Sequence, residues 1–184
     1  LGSPVPVFLR AETPFNQEAQ KALWKRRLKR FLFRPLFKRV SAFLYIGEEN
    51  KSFYKSYGVP ADKLFFMPYA VDNERFMNDS EIFSGKKKEL REELNLPEGK
   101  TIILFVGKMI PKKNPLDLLR AYEKINHPDK CLVFVGDGAL REEMGVFVKE
   151  RGLKDVYLPG FVNQTELSKY YAASDIFVAH TLGY

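Results

Sequence analysis

The stretch from Thr101 to Val178, which opens TIILFVGKMIPKKNPLDLLRAY and closes SDIFV, decides the fold. It repeats one short pattern of apolar strand, glycine, polar loop and helix. TIILFV runs into Gly107, CLVFV into Gly136, and VYL into Pro159-Gly160, before a fourth apolar run, DIFVA. Gly107 and Gly136 stand 29 residues apart, the length of one βα unit. Strands this short and uniformly apolar are buried on both faces, which predicts an α/β architecture with parallel strands covered by helices. Ligands of such sheets bind beyond the carboxyl ends of the strands. At the first of those ends lies KMIPKKNP, which gathers Lys108, Lys112 and Lys113.

The helices of this half carry boundary signals. Asn114 followed by Pro115 predicts an N-cap and a first-turn proline, with Leu116, Leu119, Tyr122 and Ile125 on one helical face. Leu140, Met144, Phe147 and Val148 form the next stripe, ended at Gly152. Asn163 and Glu166 approximate a capping box for a helix bearing Leu167, Tyr170 and Tyr171. Upstream, KKKELREELNL reads as a charged surface helix, and a composition change near Ser84-Gly85 predicts a boundary between domains 1–83 and 84–184. In the first domain the reading is a strand over Val5–Ala11, a helix over Asn16–Arg34 stopped by Pro35, and a strand over Ala42–Gly47. A short helix in EENKSFYKSY, a strand in KLFFMP and a polar connection in YAVDNERFMNDS follow.

The 184 residues carry a net charge of +7, and the excess is local. Nine bases lie between Lys21 and Arg39, no acid occurs between Glu18 and Glu48, and the remainder of the chain is slightly negative. No apolar run approaches the ~20 residues of a membrane span. The N-terminus lacks both an initiating methionine and the features of a signal peptide, so the chain reads as an internal fragment. The single cysteine, Cys131, sits inside an apolar run and reads as a core residue in a reducing, cytoplasmic compartment.

Several stretches invite a chemical reading beside a plain one. Gly107 admits a ligand close to the backbone, and Lys108 and Lys113 can neutralise a diphosphate together with the following helix N-terminus; the plain reading is a solvated basic loop. Gly136 and Gly138 make either a tight turn or space for a ligand. The segment LWKRRLKRFLFRPLFKRV places Trp24, Leu28, Phe31, Leu32, Leu36 and Phe37 at helical spacing among bases. It fits a helix with a core-facing stripe, a helix on an anionic membrane surface, or, least favoured, a nucleic-acid contact. Arg10 and Glu12 follow a strand and either line a cleft or form a surface pair; His180 follows the last strand and is a site candidate. Two distant histidines without clustered acids predict no metal site.

With these residues in view, the chain resembles the retaining glycosyltransferase family 4, the group 1 transferases of GT-B fold. GVPADKLFFMPYAVDNERF resembles the family's inter-domain passage GVPxxKIxVIPNGVDxxRF. FVGKMIPKKNPLDLLRAY is similar to FVGRLxxxKGxxxLLxA, LVFVGDGALREEM to LxIVGDGPLRxxL, and VYLPGFVNQTELSKYYAASDIFVAH to VxFLGFVxxxELxxxYxxADVFVxPS. The resemblance implies parts of two Rossmann-like domains, incomplete at both ends, and transfer of a sugar from a nucleotide-sugar donor to a polysaccharide or lipid-linked acceptor. It implies that Lys108 and Lys113 hold the donor diphosphate, that Gly160, Phe161 and Val162 cradle the nucleobase, and that Gly136 and Gly138 lie below the donor. No obligatory metal or other cofactor is expected. The family's E-x7-E region would follow His180, so this stretch alone is expected to be inactive. The expected setting is the cytoplasm, peripherally at the inner membrane face through Lys21–Arg39. The alternative of another class is a non-catalytic membrane-surface or nucleic-acid-binding module using that helix.

Overall fold

The computed structural model describes residues 5–180. By its internal contacts the chain divides into two units, up to Val71 and from Asp72 onward. The break falls before the expected one at 83/84, because the segment read as a polar connection is a helix of the second unit.

The first unit is a three-stranded parallel sheet. Strand β1 (Phe8–Arg10) leads through α1 (Phe15–Ala19) and α2 (Leu23–Lys38) to β2 (Ala42–Tyr45), and α3 (Glu48–Ser56) leads to β3 (Leu64–Phe66). β2 lies in the middle, with Phe8 opposite Ala42 and Phe43 opposite Leu64. Phe43, Phe53, Tyr54 and Tyr57 are buried in its core, against Phe33 and Phe37 of α2. Contrary to expectation, the chain breaks its helix at residues 20–22 and carries α2 through Pro35. A proline forfeits one backbone donor and crowds the preceding turn. Here the last turn is held regardless, because Phe37 packs on Phe33, Phe43 and Tyr54 at ring separations of 5.7, 5.1 and 6.4 Å. Of the predicted apolar stripe, Phe37 alone turns inward; Trp24, Leu28, Phe31, Leu32 and Leu36 are exposed.

Glu18 ties this unit together from α1. Its buried carboxylate accepts hydrogen bonds from Tyr57 Oη at 2.7 Å, Lys21 Nζ at 2.8 Å and Lys29 Nζ at 3.0 Å. Burial opposes the charge, but the bonds from Lys21, Tyr57 and Lys29 outweigh it and hold the carboxyl down at about 2. Burial, and then the bond to Glu18, push the Tyr57 phenol up in turn.

In the second unit, α4 (Asn73–Ile82) and α5 (Lys87–Glu93) precede strand β4 (Thr101–Val106). Then come α6 (Pro115–Lys124), β5 (Lys130–Val135), α7 (Arg141–Glu150), β6 (Val156–Gly160), α8 (Gln164–Ala173) and β7 (Ile176–Phe177). The sheet is parallel, in the order β6-β5-β4-β7. Successive strand residues point to opposite faces. Ile102, Leu104, Cys131 and Val133 therefore pack with Leu90, Tyr170 and Ala173 on one side, and Phe105, Leu132 and Phe134 with Leu119, Tyr122 and Met144 on the other. Burial on both faces holds for β4 and β5, whereas Ile176 and Phe177 of the edge strand β7 remain exposed. α4 belongs here because Asp72 caps it, accepting from the Arg75 amide, while Asp79 accepts from Ser168 Oγ at 2.6 Å and Phe76 meets the Tyr171 ring edge-on. Buried Arg91 of α5 donates to Asp175 and to the carbonyls of Ala173, Glu98 and Lys100, which fixes the approach to β7.

Candidate functional site

The chain runs β4 to β5 to β6 in one direction, then crosses back to place β7 on the other side of β4. This reversal makes the carboxyl ends of β4 and β7 the switch point of the sheet, the position where open parallel sheets bind ligands. Two segments leave the sheet there: residues 107–114 after β4, and the segment after β7 that carries His180.

The loop after β4 is built rigidly. Met109 is fully buried within it, Pro111–Lys113 form one 3-10 turn, and Asn114 has φ 44° and ψ 51° before Pro115 opens α6. Asn114 was expected as the N-cap but makes no capping bond; its side chain instead hydrogen-bonds Asp117. Its left-handed backbone is one that asparagine tolerates better than most residues. The pattern resembled by this loop has glycine at the same position.

Lys108 is exposed and Lys113 half-buried. Among the described residues neither forms an ion pair, so both charges remain available to a ligand. Asp117, in the first turn of α6, is already engaged, with Arg120 at 2.6 Å and the Asn114 amide on its carboxylate. Those two hydrogen bonds, and the nearby charge of His180, hold its carboxyl below the ordinary range. His180 is exposed, just beyond the end of β7.

Gly136 and Gly138 have a structural reason of their own. A Cβ on Gly136, at φ 134°, would stand 2.0 Å from the Gly107 carbonyl oxygen, and one on Gly138 would stand 2.5 Å from that of Met109. The loops after β4 and β5 pack backbone to backbone, with Gly107 N donating to Val135 O and Met109 N to Asp137 O, each at 2.9 Å. The two glycines thus set the floor that carries Lys108. At the end of β6, Phe161 is 80% exposed and Val162 packs against the core.

Arg141 was passed over in the sequence, although it is the arginine of the GDGALR stretch. From the first position of α7 its guanidinium donates to Leu158 O at 3.1 Å and lies against Gly160, beside the loop of Phe161 and Val162. Arg10 and Glu12 belong to the first unit and form no ion pair among the described residues; the Arg10 guanidinium lies 5.1 Å from the centre of the Tyr69 ring, and Glu12 is exposed. Among the described residues no group of three or more His, Cys, Asp or Glu side chains could hold a metal ion, and no helix is long and apolar enough to cross a membrane.

The family described as Glycosyl transferases group 1 matches residues 86–182, from α5 through all four strands of the second sheet and past His180. The chain belongs to that family. An N-acetyl-D-galactosaminyltransferase of Campylobacter jejuni, named for a PP-undecaprenol-linked glycan, is 28% identical over 83% of this chain and 38% of its own length. A GDP-mannose-dependent phosphatidylinositol monomannoside mannosyltransferase of Mycobacterium tuberculosis is 28% identical over 72% of this chain and 34% of its own. The chain therefore spans under two fifths of these relatives.

Solved structures place the group 1 chain in the GT-B fold. Anabaena HepE, crystallised with UDP-glucose, superimposes with a TM-score of 0.67 at 16% identity, covering 96% of this chain and 47% of that one. WaaG, a glycosyltransferase involved in lipopolysaccharide biosynthesis, gives 0.65 at 17%, covering 98% and 51%.

Proposed function

We propose that the protein carries the diphosphate-gripping part of the donor site of a glycosyltransferase. The full-length enzyme moves a sugar from a nucleotide-sugar donor to a carbohydrate or lipid-linked acceptor, with retention, at the cytoplasmic face of a membrane. One observation carries this reading. Lys108 and Lys113, two lysines without ion pairs among the described residues, stand in the loop that leaves β4 at the sheet's switch point and runs to the N-terminus of α6.

A departing nucleoside diphosphate gains negative charge as the glycosidic bond breaks. Preorganised cations and a helix N-terminus stabilise that charge more in the transition state than in the ground state. Lysine acts there as a point charge without the bidentate fork of arginine. Gly136 and Gly138 support the reading indirectly, by holding the loop of Lys108 against β5. The exposure of Phe161 at the end of β6, beside the Arg141 guanidinium bonded to Leu158 O, supports a nucleobase contact there. The names of relatives that act on PP-undecaprenol-linked or phosphatidylinositol acceptors support a lipid-linked acceptor. A non-catalytic module gains no support from the family match.

Calorimetry with UDP and GDP on the full-length polypeptide tests this. Lys108→Ala and Lys113→Ala should each weaken nucleoside-diphosphate binding about ten- to a hundred-fold, the effect of losing one charge-assisted contact. Both variants should keep their melting temperature, because neither side chain makes an ion pair. Unchanged affinity in both would reduce the loop to a solvated basic turn and remove the donor site.

A further inference from the structure

Helix α2 has one face tied into the first unit and one left in water. Inward, Lys29 reaches Glu18 while Phe33 and Phe37 pack in the aromatic core. Outward, at spacings of four, three and four residues, Trp24, Leu28, Phe31 and Pro35 form a single line along the helix. Trp24 is 64% exposed, Leu28 51% and Phe31 77%. Leu32 and Leu36 widen the line on one flank, and Arg27, Arg30, Arg34 and Lys38 run parallel to it on the other. None of these four bases has a salt bridge among the described residues. The helix holds no acid, and the buried Glu18 is taken from the inner side by Lys21 and Lys29. At the end of the line, Arg34, Lys38 and Lys63 line a cavity of about 200 Å³ with Tyr57 and Gly58.

Apolar side chains scattered singly are ordinary on a protein surface, whereas a continuous row beside a row of cations is the pattern of a helix lying in a lipid interface. We propose that α2 docks the protein on an anionic membrane. Trp24, Leu28 and Phe31 enter the boundary between headgroups and acyl chains, Arg27 and Arg30 meet lipid phosphates, and the cavity of Arg34, Lys38 and Lys63 seats one headgroup phosphate. The aliphatic content of the row decides against nucleic acid, because Leu28, Leu32 and Leu36 offer no π-face for stacking bases. A second copy of the chain is disfavoured by charge, since pairing two such helices sets bases against bases with no acid on either. The inference stands on α2 and not on the donor site, so either can fail alone.

Trp24 is the only tryptophan of the 184-residue chain and lies on the docking line, so it reports contact without any substitution. On mixing the protein with vesicles of phosphatidylcholine and phosphatidylglycerol, Trp24 emission should shift to the blue and be quenched by brominated acyl chains. Pure phosphatidylcholine should give a much weaker response. Phe31→Gln should weaken vesicle affinity about ten- to a hundred-fold, the effect of withholding one large apolar side chain from lipid. Arg30→Gln and Arg34→Gln should each weaken it about fivefold, with the electrostatic part lost as added salt screens the charges. Nucleoside-diphosphate affinity should be unchanged in all three.

Three outcomes would overturn the proposal. The first is Trp24 emission that stays that of water beside anionic vesicles. The second is emission already blue and dependent on protein concentration without lipid, which would mean that protein covers the row. The third is tight binding of single-stranded RNA by a protein that ignores vesicles.

Discussion

The sheet of the second unit is enclosed on both faces at β4 and β5, with Ile102, Leu104 and Val133 on one side and Phe105, Leu132 and Phe134 on the other. The sheet of the first unit leaves Phe8, Phe65 and Phe66 in solvent and gathers its core on one side, around Phe43, Tyr54 and Tyr57. The two units follow the same strand-helix-strand plan, yet different forces hold them. Apolar strands of six residues and close backbone contact between loops suffice in the second. Strands of three or four residues bury too little by themselves, and the first unit adds stacked aromatics and a buried carboxylate clamp. The contrast extends to the surfaces, since the second unit carries the switch point of its sheet and the first carries an exposed amphipathic helix.

The contrast breaks most directly at Gly136. Gly136→Ala sets a Cβ 2.0 Å from the Gly107 carbonyl and should destabilise the second unit by about 3–5 kcal/mol, as backbone must move against backbone. Denaturant melts should register this loss, while Gly99→Ala, with open space around it, should stay within about 0.5 kcal/mol of the parent. A mild Gly136→Ala would mean that the two loops are not rigidly packed.

Next in size is Glu18→Gln, which probes the clamp of the first unit. Glu18 titrates lower folded than unfolded, so its stabilisation is present above about pH 4.5 and is lost as pH falls toward about 2. Glu18→Gln should cost roughly 2–3 kcal/mol at neutral pH and flatten the acid limb of stability against pH for this unit. A melt whose acid limb is the same in both proteins would show that the clamp contributes nothing.

The smallest effect is expected at Asn114. Asn114→Ala forces alanine into a left-handed backbone and should cost about 1 kcal/mol, whereas Asn114→Gly should fall within about 0.5 kcal/mol of the parent. Equal losses in both variants would point to the Asn114–Asp117 bond, and not the backbone, as what the residue supplies.

Much of the second unit was legible because its signals are local. The strand-glycine rhythm predicted the parallel sheet, Pro115 marked the start of α6, and Leu119, Tyr122 and Met144 went to the core as their spacing required. The capping box before α8 was half right. Asn163 accepts from the Thr165 amide, but Glu166 turns to Lys169 at 2.7 Å, a lysine that also meets Glu93. The helix over Asn73–Ile82 was missed even though Asp72 was in place to cap it, because its partners on α8 lie some ninety residues away.

The chemistry of the site divides in the same way. Charge at the end of a strand can be read from the chain, so Lys108 and Lys113 could be proposed as donor-site residues, and family motifs could be matched residue by residue. Which strands neighbour one another cannot be so read. Only the sheet order sets β7 beside β4, and that order brings the carboxyl ends of two strands far apart in the chain to one switch point. For α2, the sequence by itself determined that a helix would carry bases and apolar side chains at helical spacing. Tertiary structure decided which face is core. Phe33 and Phe37 found aromatic partners on β2 and α3, carried the helix through Pro35, and turned Trp24, Leu28 and Phe31 outward. Helical periodicity states which side chains share a face, but only packing against the rest of the chain selects the face that leaves water.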